Sequence, residues 1–230
     1  MNEISPYSVT FVGAFIVSFA VVFLLLKKRG VPTNYIGYSI LLNVVLILYG
    51  AKLFTVVTRG FQISIFTAGF SSLGGAIGLL VGIFVFGKIY PEGSTSLWEA
   101  YVTVLPLLYG ISKIGCYLVG CCHGISYEGL LAVVYDSDYM QGGPYFPVQL
   151  AESIGFLGIF VVGLLIYLRS NRRNLVPVIM ILCATTKFSL DFLREEHLGK
   201  IVSVNQLVCI VFFFWGVITL IKNKNKIHAV

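Results

Sequence analysis

Residues 113–124 read Lys-Ile-Gly-Cys-Tyr-Leu-Val-Gly-Cys-Cys-His-Gly, and they end an apolar run that begins at Leu97. Three of the five cysteines and one of the three histidines lie in this stretch. The apolar run is long enough to cross a bilayer, so Lys113 is predicted to lie within the membrane, where ionisable side chains usually mark functional sites. The stretch therefore predicts both a membrane helix and the place where the chain carries its chemistry.

The composition of the whole chain indicates a membrane protein. Of 230 residues, 57% are hydrophobic and 11% are charged, whereas about 25% are charged in an average globular chain. The net charge of +6 does not indicate nucleic-acid binding, because the basic residues lie at the ends of apolar runs. We predict an all-α integral membrane protein that forms a single polytopic domain over residues 1–230.

Seven apolar runs predict seven transmembrane helices. They are Tyr7–Leu26, Tyr35–Val57, Ile65–Phe86, Leu97–Leu118, Pro147–Leu168, Leu175–Leu193 and Val204–Ile221. No basic residue precedes the first run and Lys27-Lys28-Arg29 follows it, which is the reverse of the order in a cleavable signal peptide. Residues 124–146, between the fourth and fifth runs, are predicted to form an ordered extracytoplasmic loop or hairpin.

The distribution of basic residues predicts the orientation. With the N-terminus outside the cytoplasm, ten Lys and Arg residues lie in cytoplasmic segments and three lie in outer segments. This bias satisfies the positive-inside rule and places the C-terminus in the cytoplasm. The end of residues 113–124, the 124–146 loop and the loop that begins at Arg194 then lie on the outer side.

Ionisable residues inside the predicted helices suggest an anion site. Five of them lie toward the outer ends of their helices: Lys52, Lys113, Glu152, Lys187 and Asp191. Lys187 and Asp191 are spaced i, i+4, so they share a helix face and can pair. We expect one hydrated cavity, although a single lysine can also reach the interface by snorkelling. Together with Arg194, the lysines suit a phospholipid headgroup, because lipid phosphate is the anion that a membrane protein meets.

The cysteines divide into two kinds. Cys183 and Cys209 each lie alone in apolar helices, where a cysteine usually packs as a small hydrophobe. The clustered cysteines beside His123 leave three interpretations open: a nucleophilic Cys121 or Cys122 that carries an acyl or lipid group, a zinc site, and a disulfide-exchange site. The spacing Cys-x4-Cys-Cys-His is not a familiar zinc pattern and contains no Cys-x-x-Cys. We therefore expect no metal and no cofactor.

The order of motifs resembles the prolipoprotein diacylglyceryl transferase family over nearly the whole chain. The family signature Arg-x-Gly-Asn-x-x-Asn-Gly-Glu-x-x-Gly is similar to residues 113–124, which keep its glycines. Lys113 replaces the arginine, Cys116 and Val119 replace the asparagines, and Cys121 replaces the glutamate. Residues 147–152 resemble Pro-x-Gln-Leu-Tyr-Glu. Residues 187–194 resemble Arg-Phe-x-x-Glu-Phe-x-Arg, and residues 50–53 resemble Gly-Ala-Arg-Leu. Asn205-Gln206-Leu207 resembles the Gly-Gln-containing start of the family's last helix.

One departure from the family pattern concerns catalysis. The family has His-Gly-Gly-Leu-x-Gly on its third helix, and residues 73–78 are similar except that Leu73 replaces the histidine. A base must therefore come from elsewhere in this chain if the family's chemistry is kept. The predicted catalytic residues are His123, Cys121 and Cys122. The predicted phospholipid-binding residues are Lys113, Lys187, Arg194 and Lys52. The predicted orienting residues are Glu152, Asp191 and Gln149.

The resemblance implies a multi-pass transferase of the bacterial plasma membrane. It would move a diacylglyceryl group from an anionic phospholipid such as phosphatidylglycerol to a thiol acceptor, a lipoprotein cysteine, and release glycerol phosphate. Its partners would be the phospholipid and a lipoprotein precursor, with no nucleic acid. Two other functions stay open from the residues: a cysteine-dependent membrane thiol–disulfide oxidoreductase, and a non-catalytic phospholipid-binding or transport protein.

Overall fold

The computed structural model describes residues 5–135, 143–169 and 172–228 of the chain. The described residues form seven α-helices. They are α1 (Pro6–Lys28), α2 (Thr33–Thr58), α3 (Ser72–Ile89), α4 (Ser94–Leu118), α5 (Val148–Leu168), α6 (Leu175–Asp191) and α7 (Val204–His228). One-turn 3-10 helices, Pro91–Gly93 and Glu195–His197, precede α4 and follow α6. Extended pairing within the described ranges is limited to isolated bridges.

The predicted all-helical membrane class is confirmed. Six of the described helices are long and apolar enough to cross a membrane, and α6, with 17 residues, is not among them. Large apolar side chains point outward on these helices, as Ile16, Leu41, Ile154 and Val211 do, each at least 60% exposed. Such faces suit contact with lipid, which solvates apolar side chains as well as a protein core does.

The helix boundaries differ most from prediction at α3. This helix was expected to begin at Ile65, but it begins at Ser72; residues 65–67 form a turn and residues 68–71 have no regular secondary structure. Ser71 is the N-cap, and its hydroxyl accepts a hydrogen bond from the Gly74 amide at 3.3 Å. A serine that caps in this way competes with helix continuation, which an apolar pattern does not reveal. At the other end of the chain, α7 continues to His228, past the predicted end at Ile221.

The described residues group into two compact units, one within Met1–Ser18 and Pro106–Val230 and the other formed by Phe19–Leu105. In the second unit, α2 and α3 cross closely. A Cβ at Gly78 would overlap the Leu46 carbonyl oxygen, and one at Gly74 would overlap the Gly50 carbonyl oxygen. Small residues are therefore required at this crossing, as the Gly-Gly-Ala-Ile-Gly run predicts.

The first unit holds the end of α4, the start of α5, the end of α6 and the start of α7. Its core is apolar around Val148, Leu175 and Ile179, none of which is exposed. Cys183 and Cys209 are buried, so the prediction that they pack as hydrophobes is confirmed. In contrast, the end of α4, the start of α5 and the end of α6 carry buried charged side chains, and these form the candidate site.

Candidate functional site

The site is built around one buried carboxylate, Glu152, which lies one turn into α5 and has no exposed surface. Its Oε2 lies 3.1 Å from Lys113 Nζ and accepts a hydrogen bond from Arg194 Nη2 at 2.8 Å. Its Oε1 accepts from Lys187 Nζ at 2.6 Å. The three cations come from the end of α4, the end of α6 and the loop after α6, so Glu152 ties three parts of the unit together. Each cation is itself at most 6% exposed.

A second carboxylate, Asp191, holds Lys187 from its own helix. The Lys187 Nζ to Asp191 Oδ1 distance is 3.5 Å, in agreement with the i, i+4 spacing. Asp191 also accepts hydrogen bonds from the Ser203 hydroxyl and from Asn205 Nδ2, the latter at 3.4 Å. His197 Nδ1 lies 3.8 Å from Asp191 Oδ2. The carboxylate is thus fixed from three sides and in turn orients Lys187.

Ser203 reaches Asp191 because it is the N-cap of α7. Its hydroxyl accepts from the Gln206 amide at 3.1 Å, while the Gln206 side chain accepts from the Ser203 amide at 3.0 Å. This reciprocal arrangement is a capping box, which satisfies two amides at the helix start. The Ser-x-x-Gln pattern is visible in the sequence, but its contact with Asp191 was not predicted.

The charged cluster has capacity left for an anion. Lys113, Lys187 and Arg194 oppose Glu152 and Asp191, so three positive charges face two negative ones and leave a net positive charge. Within the described residues, the buried Nε of Arg194 has no hydrogen-bond partner. An unpaired buried donor is costly, and a phosphate oxygen is the kind of acceptor that would satisfy it.

Tyr109 is a site residue that the sequence did not single out. Its ring centre lies 5.1 Å from Lys113 Nζ and 6.0 Å from Lys187 Nζ, and it packs on Phe156 at 4.2 Å between centroids. The face of an aromatic ring attracts cations, which helps to hold both ammonium groups. Its buried hydroxyl has no hydrogen-bond partner among the described residues. Tyr109 lies within the apolar run of α4, where a tyrosine is not unusual, so the sequence gives no signal that it belongs to the site.

Short extended segments bring the loop after α6 to the cysteine stretch. The Gly124 amide donates to the Phe146 carbonyl at 3.2 Å, and the Ile125 amide donates to the Leu193 carbonyl at 3.0 Å. Gly124 and Arg194 face each other as an antiparallel bridge. A Cβ at Gly124 would overlap the Phe146 carbonyl oxygen, so the close approach requires glycine. This pairing carries the Arg194 side chain to Glu152.

The helix break at Gly120 creates a cluster of three thiols. Gly120 has φ of +71°, its amide donates to the Tyr117 carbonyl, and the Cys121 amide donates to the Cys116 carbonyl. These two bonds define a Schellman motif, which brings the residue after the glycine over the last turn of the helix. The sulfur atoms of Cys116, Cys121 and Cys122 all lie within 4.8 Å of one another.

The thiols of this cluster differ in acidity. Hydrogen bonds from the Cys116 and Cys121 thiols lower the pKa of Cys122 below its ordinary value, and Lys113 and Arg194 act in the same direction. Hydrogen bonds to Cys116 and Cys122 raise the pKa of Cys121. Cys122 is therefore the thiol of the cluster that most readily becomes a thiolate, and it lies within the electrostatic reach of the cations that bind Glu152.

His123 and Gln149 fix the two sides of the cysteine turn. His123 Nε2 lies 3.1 Å from Glu195 Oε2, and its Nδ1 lies 3.1 Å from the Gly124 carbonyl oxygen. Gln149, which is fully buried, donates to the Cys121 carbonyl at 2.8 Å. Gln149 therefore contacts the cysteine turn, whereas Glu152 contacts all three cations and Asp191 contacts Lys187.

Lys52 makes its described contacts within its own unit. It belongs to the unit Phe19–Leu105, and its Nζ donates to the carbonyl oxygens of Ile65 and Phe66 at 3.2 and 3.0 Å. Its ammonium group also lies 5.3 Å from the centre of the Phe70 ring. These contacts hold the turn before α3, and phospholipid binding by Lys52 stays a prediction.

A comparison with known proteins identifies the family. The family model described as prolipoprotein diacylglyceryl transferase matches residues 1–222. The chain belongs to the prolipoprotein diacylglyceryl transferase family. It is therefore a member of a transferase family, and the residues around Glu152 lie in the stretches that resemble this family's motifs.

Relatives from several bacteria carry the corresponding name. The chain is 27% identical over 226 residues to phosphatidylglycerol–prolipoprotein diacylglyceryl transferase 2 of Clostridium perfringens. The aligned region covers 90% of this chain and 86% of that protein. It is 29% identical over 222 residues to the phosphatidylglycerol–prolipoprotein diacylglyceryl transferase of Chlamydia pneumoniae, with 82% of this chain and 73% of the relative covered. A member of the prolipoprotein diacylglyceryl transferase family from Tolumonas auensis is 24% identical over 173 residues, 71% of this chain and 66% of the relative.

Proposed function

We propose that this protein transfers a diacylglyceryl group from an anionic phospholipid, phosphatidylglycerol, to the thiol of a lipoprotein cysteine. The observation that carries the proposal is the convergence of Lys113, Lys187 and Arg194 on Glu152. The cluster keeps a net positive charge and an unpaired Arg194 Nε, which is the arrangement that a phosphate requires. Family membership supports the same reaction class.

The cations are proposed to bind the phosphate and to stabilise it as it leaves. When the bond between glyceryl carbon and phosphate oxygen breaks, negative charge grows on the phosphate. Preorganised donors that face this charge lower the barrier more than donors in water do, because they need no reorganisation. Glu152 and Asp191 hold the donors in place, so their own charges reduce the repulsion among the buried cations in the absence of lipid.

His123, Cys121 and Cys122 are proposed to act on the acceptor thiol. One interpretation makes a protein cysteine a covalent carrier of the diacylglyceryl group. Such a carrier would be a thioether, and a second thiol does not displace an alkyl group from a thioether, because the sulfur is a poor leaving group. The cysteines are therefore proposed to prepare the acceptor thiol rather than to carry the lipid.

The site is proposed to face the outer side of the bacterial plasma membrane, with seven transmembrane helices and the N-terminus outside. The ten-to-three distribution of basic residues supports this orientation. The end of α4, the start of α5, the end of α6 and the start of α7 would then meet the outer leaflet. A lipoprotein precursor that emerges on that side would meet the phospholipid there.

The reaction is tested with purified full-length protein, phosphatidylglycerol in detergent and an acceptor peptide that contains one cysteine. Mass spectrometry of the peptide is expected to show the added mass of the diacylglyceryl group. The same peptide with serine in place of cysteine is expected to show no added mass. Phosphatidylcholine, whose headgroup is zwitterionic, serves as the comparison lipid. Peptide that stays unmodified with every lipid would contradict the proposed transfer.

Variants test whether the cations matter. Lys187→Ala and Arg194→Ala are each expected to reduce turnover by about 10- to 100-fold, since a hydrogen bond to a charged group contributes about 1.5–3 kcal/mol. Arg194→Lys keeps the charge but loses the planar fork, so it is expected to restore only part of the activity. Lys200→Ala is the matched control, because Lys200 is exposed in the same loop and donates to the Glu196 carbonyl.

Full turnover in both Lys187→Ala and Arg194→Ala would exclude the phosphate role. Activity that depends on the cysteines alone would favour a thiol–disulfide oxidoreductase.

A further inference from the structure

The three-thiol cluster at the end of α4 is a feature that phosphate binding does not explain. Cys116 is buried and Cys121 and Cys122 are half-buried, and all three are free thiols. Their sulfur atoms lie within 4.8 Å of one another. Three converging thiols form a donor set for a metal ion, and the local backbone already holds them together without one.

We propose that Cys116, Cys121 and Cys122 bind one zinc ion whose fourth coordination position takes the thiol of the acceptor. This inference rests on the proposed diacylglyceryl transfer and supplies the means by which the acceptor is activated. It revises the expectation of no metal, which was based on sequence spacing alone. Spacing is a weak guide here, because the Schellman motif places Cys116 beside Cys121 although five positions separate them.

The geometry fits a tetrahedral ion. With Zn–S bonds of about 2.3 Å, two sulfurs on one tetrahedral zinc lie about 3.8 Å apart. The observed sulfur–sulfur separations stay within 4.8 Å. Sulfur displacements of about 1 Å, which side-chain rotation can provide, therefore suffice to close the site. Three protein ligands with one open position are typical of catalytic rather than structural zinc.

The surroundings leave the fourth position to a ligand from outside. In residues 5–135, 143–169 and 172–228, the group of converging metal-ligating side chains contains only the three cysteines. The nearby His123 has an oxygen acceptor at each ring nitrogen, Glu195 and the Gly124 carbonyl. Lipoprotein cysteine is the ligand that the proposed reaction brings to this place.

The charges around the cluster suit such a site. Zinc with three thiolates carries one negative charge. Lys113 lies about one helical turn before Cys116 on α4, and Arg194 pairs with Gly124, which closely follows Cys122. The same two cations contact Glu152. The fold therefore brings the proposed zinc site and the cations that would hold the phosphate to the same end of α4, where the attacking sulfur has to be.

The step balances without any redox partner. On binding zinc, the acceptor thiol releases its proton to solvent, because a thiol that coordinates zinc is deprotonated. The bound sulfur then attacks the glyceryl carbon, a C–S bond forms, and the C–O bond to phosphate breaks. The electron pair of that bond leaves with glycerol phosphate. The product is a neutral thioether, a weaker zinc ligand than a thiolate, so it is released.

Zinc binding is tested directly on the full-length reduced protein in detergent. After incubation with zinc chloride and removal of free metal, elemental analysis is expected to find one zinc per chain. Cys116→Ser, Cys121→Ser and Cys122→Ser are each expected to lower bound zinc at least tenfold, with thermal unfolding used to verify folding. Cys183→Ser and Cys209→Ser are the matched controls and are expected to keep it. Wild-type protein without stoichiometric zinc, or equal zinc in the three cluster variants, would overturn the proposal.

Cobalt then reports on the fourth position. The visible spectrum of the Co²⁺-substituted protein is expected to change when the cysteine peptide is added and to stay constant with its serine analogue. A spectrum that is indifferent to the thiol would refute acceptor coordination.

The two proposals fail in distinguishable ways. If turnover depends on Lys187 and Arg194 but survives zinc removal and cysteine replacement, the zinc inference is wrong and the transferase proposal stands. If one zinc binds and responds to the thiol peptide, yet no lipid is transferred, the transferase proposal is wrong.

Discussion

Replacement of Glu152 by glutamine tests the central feature of the site, its buried charge balance. The carboxylate has no exposed surface and contacts three cations at 2.6, 2.8 and 3.1 Å. Glu152→Gln keeps the shape but leaves Lys113, Lys187 and Arg194 with Asp191 as the sole carboxylate. Removal of one partner from a buried ion pair costs about 3–5 kcal/mol, since the remaining charge stays buried.

The cost converts into a measurable shift. For a chain of this size, 1 kcal/mol corresponds to about 2–4 °C in Tm. Glu152→Gln is therefore expected to lower Tm by about 6–20 °C. The measurement is thermal unfolding of detergent-solubilised protein without added phospholipid, followed by intrinsic fluorescence.

A second substitution separates charge from packing. Lys187→Met in the Glu152→Gln background removes the cation that lies nearest to the carboxylate and restores the net charge of the cluster. We expect this double variant to be more stable than Glu152→Gln alone. The control is Glu128→Gln, because Glu128 is exposed and such substitutions change stability by about 0.5 kcal/mol at most. Equal Tm values for Glu152→Gln and Glu128→Gln would refute the buried cluster, and a double variant no better than the single one would refute the charge explanation.

Gly120→Ala is expected to destabilise the protein by about 1–2 kcal/mol, because an L-residue at φ +71° is strained. The control is Gly158→Ala, because Gly158 lies in a helix where a Cβ has open space. This control should be neutral or stabilising in the same unfolding assay. Ser203→Ala removes the α7 cap and a hydrogen bond to Asp191, so we expect a loss of about 1–2 kcal/mol; an unchanged Tm would contradict the capping role. A reporter active only in the cytoplasm is expected to function at the C-terminus, and activity of a reporter specific for the outer side at that end would contradict the predicted orientation.

Much of the local structure can be derived from sequence patterns alone. Apolar runs of bilayer length predict the helices, because lipid requires each spanning segment to satisfy its own backbone hydrogen bonds. The Lys187–Asp191 pair follows from helical spacing, and the Ser203-x-x-Gln206 box follows from capping chemistry. Gly120 followed by a cysteine also carries the signal of a Schellman motif, which would have predicted that Cys121 returns to Cys116. These features involve residues within about one helical turn of each other, where backbone geometry leaves few alternatives.

The site itself depends on contacts between distant residues. Glu152 lies 35 positions from Lys187 and 42 from Arg194, and no local rule selects these partners among the ionisable residues of the chain. The sequence pattern grouped Lys52 with these residues by its predicted depth in the membrane. In the structure its amine donates to the carbonyl oxygens of Ile65 and Phe66, contacts that the pattern did not predict. Apolar runs predicted which residues lie in the membrane, and helical spacing predicted which neighbours share a helix face. The packing of α4, α5 and α6, and the bridge between Gly124 and Arg194, decided which charges meet, because a buried charge binds whichever opposite charge the tertiary fold brings within hydrogen-bonding distance.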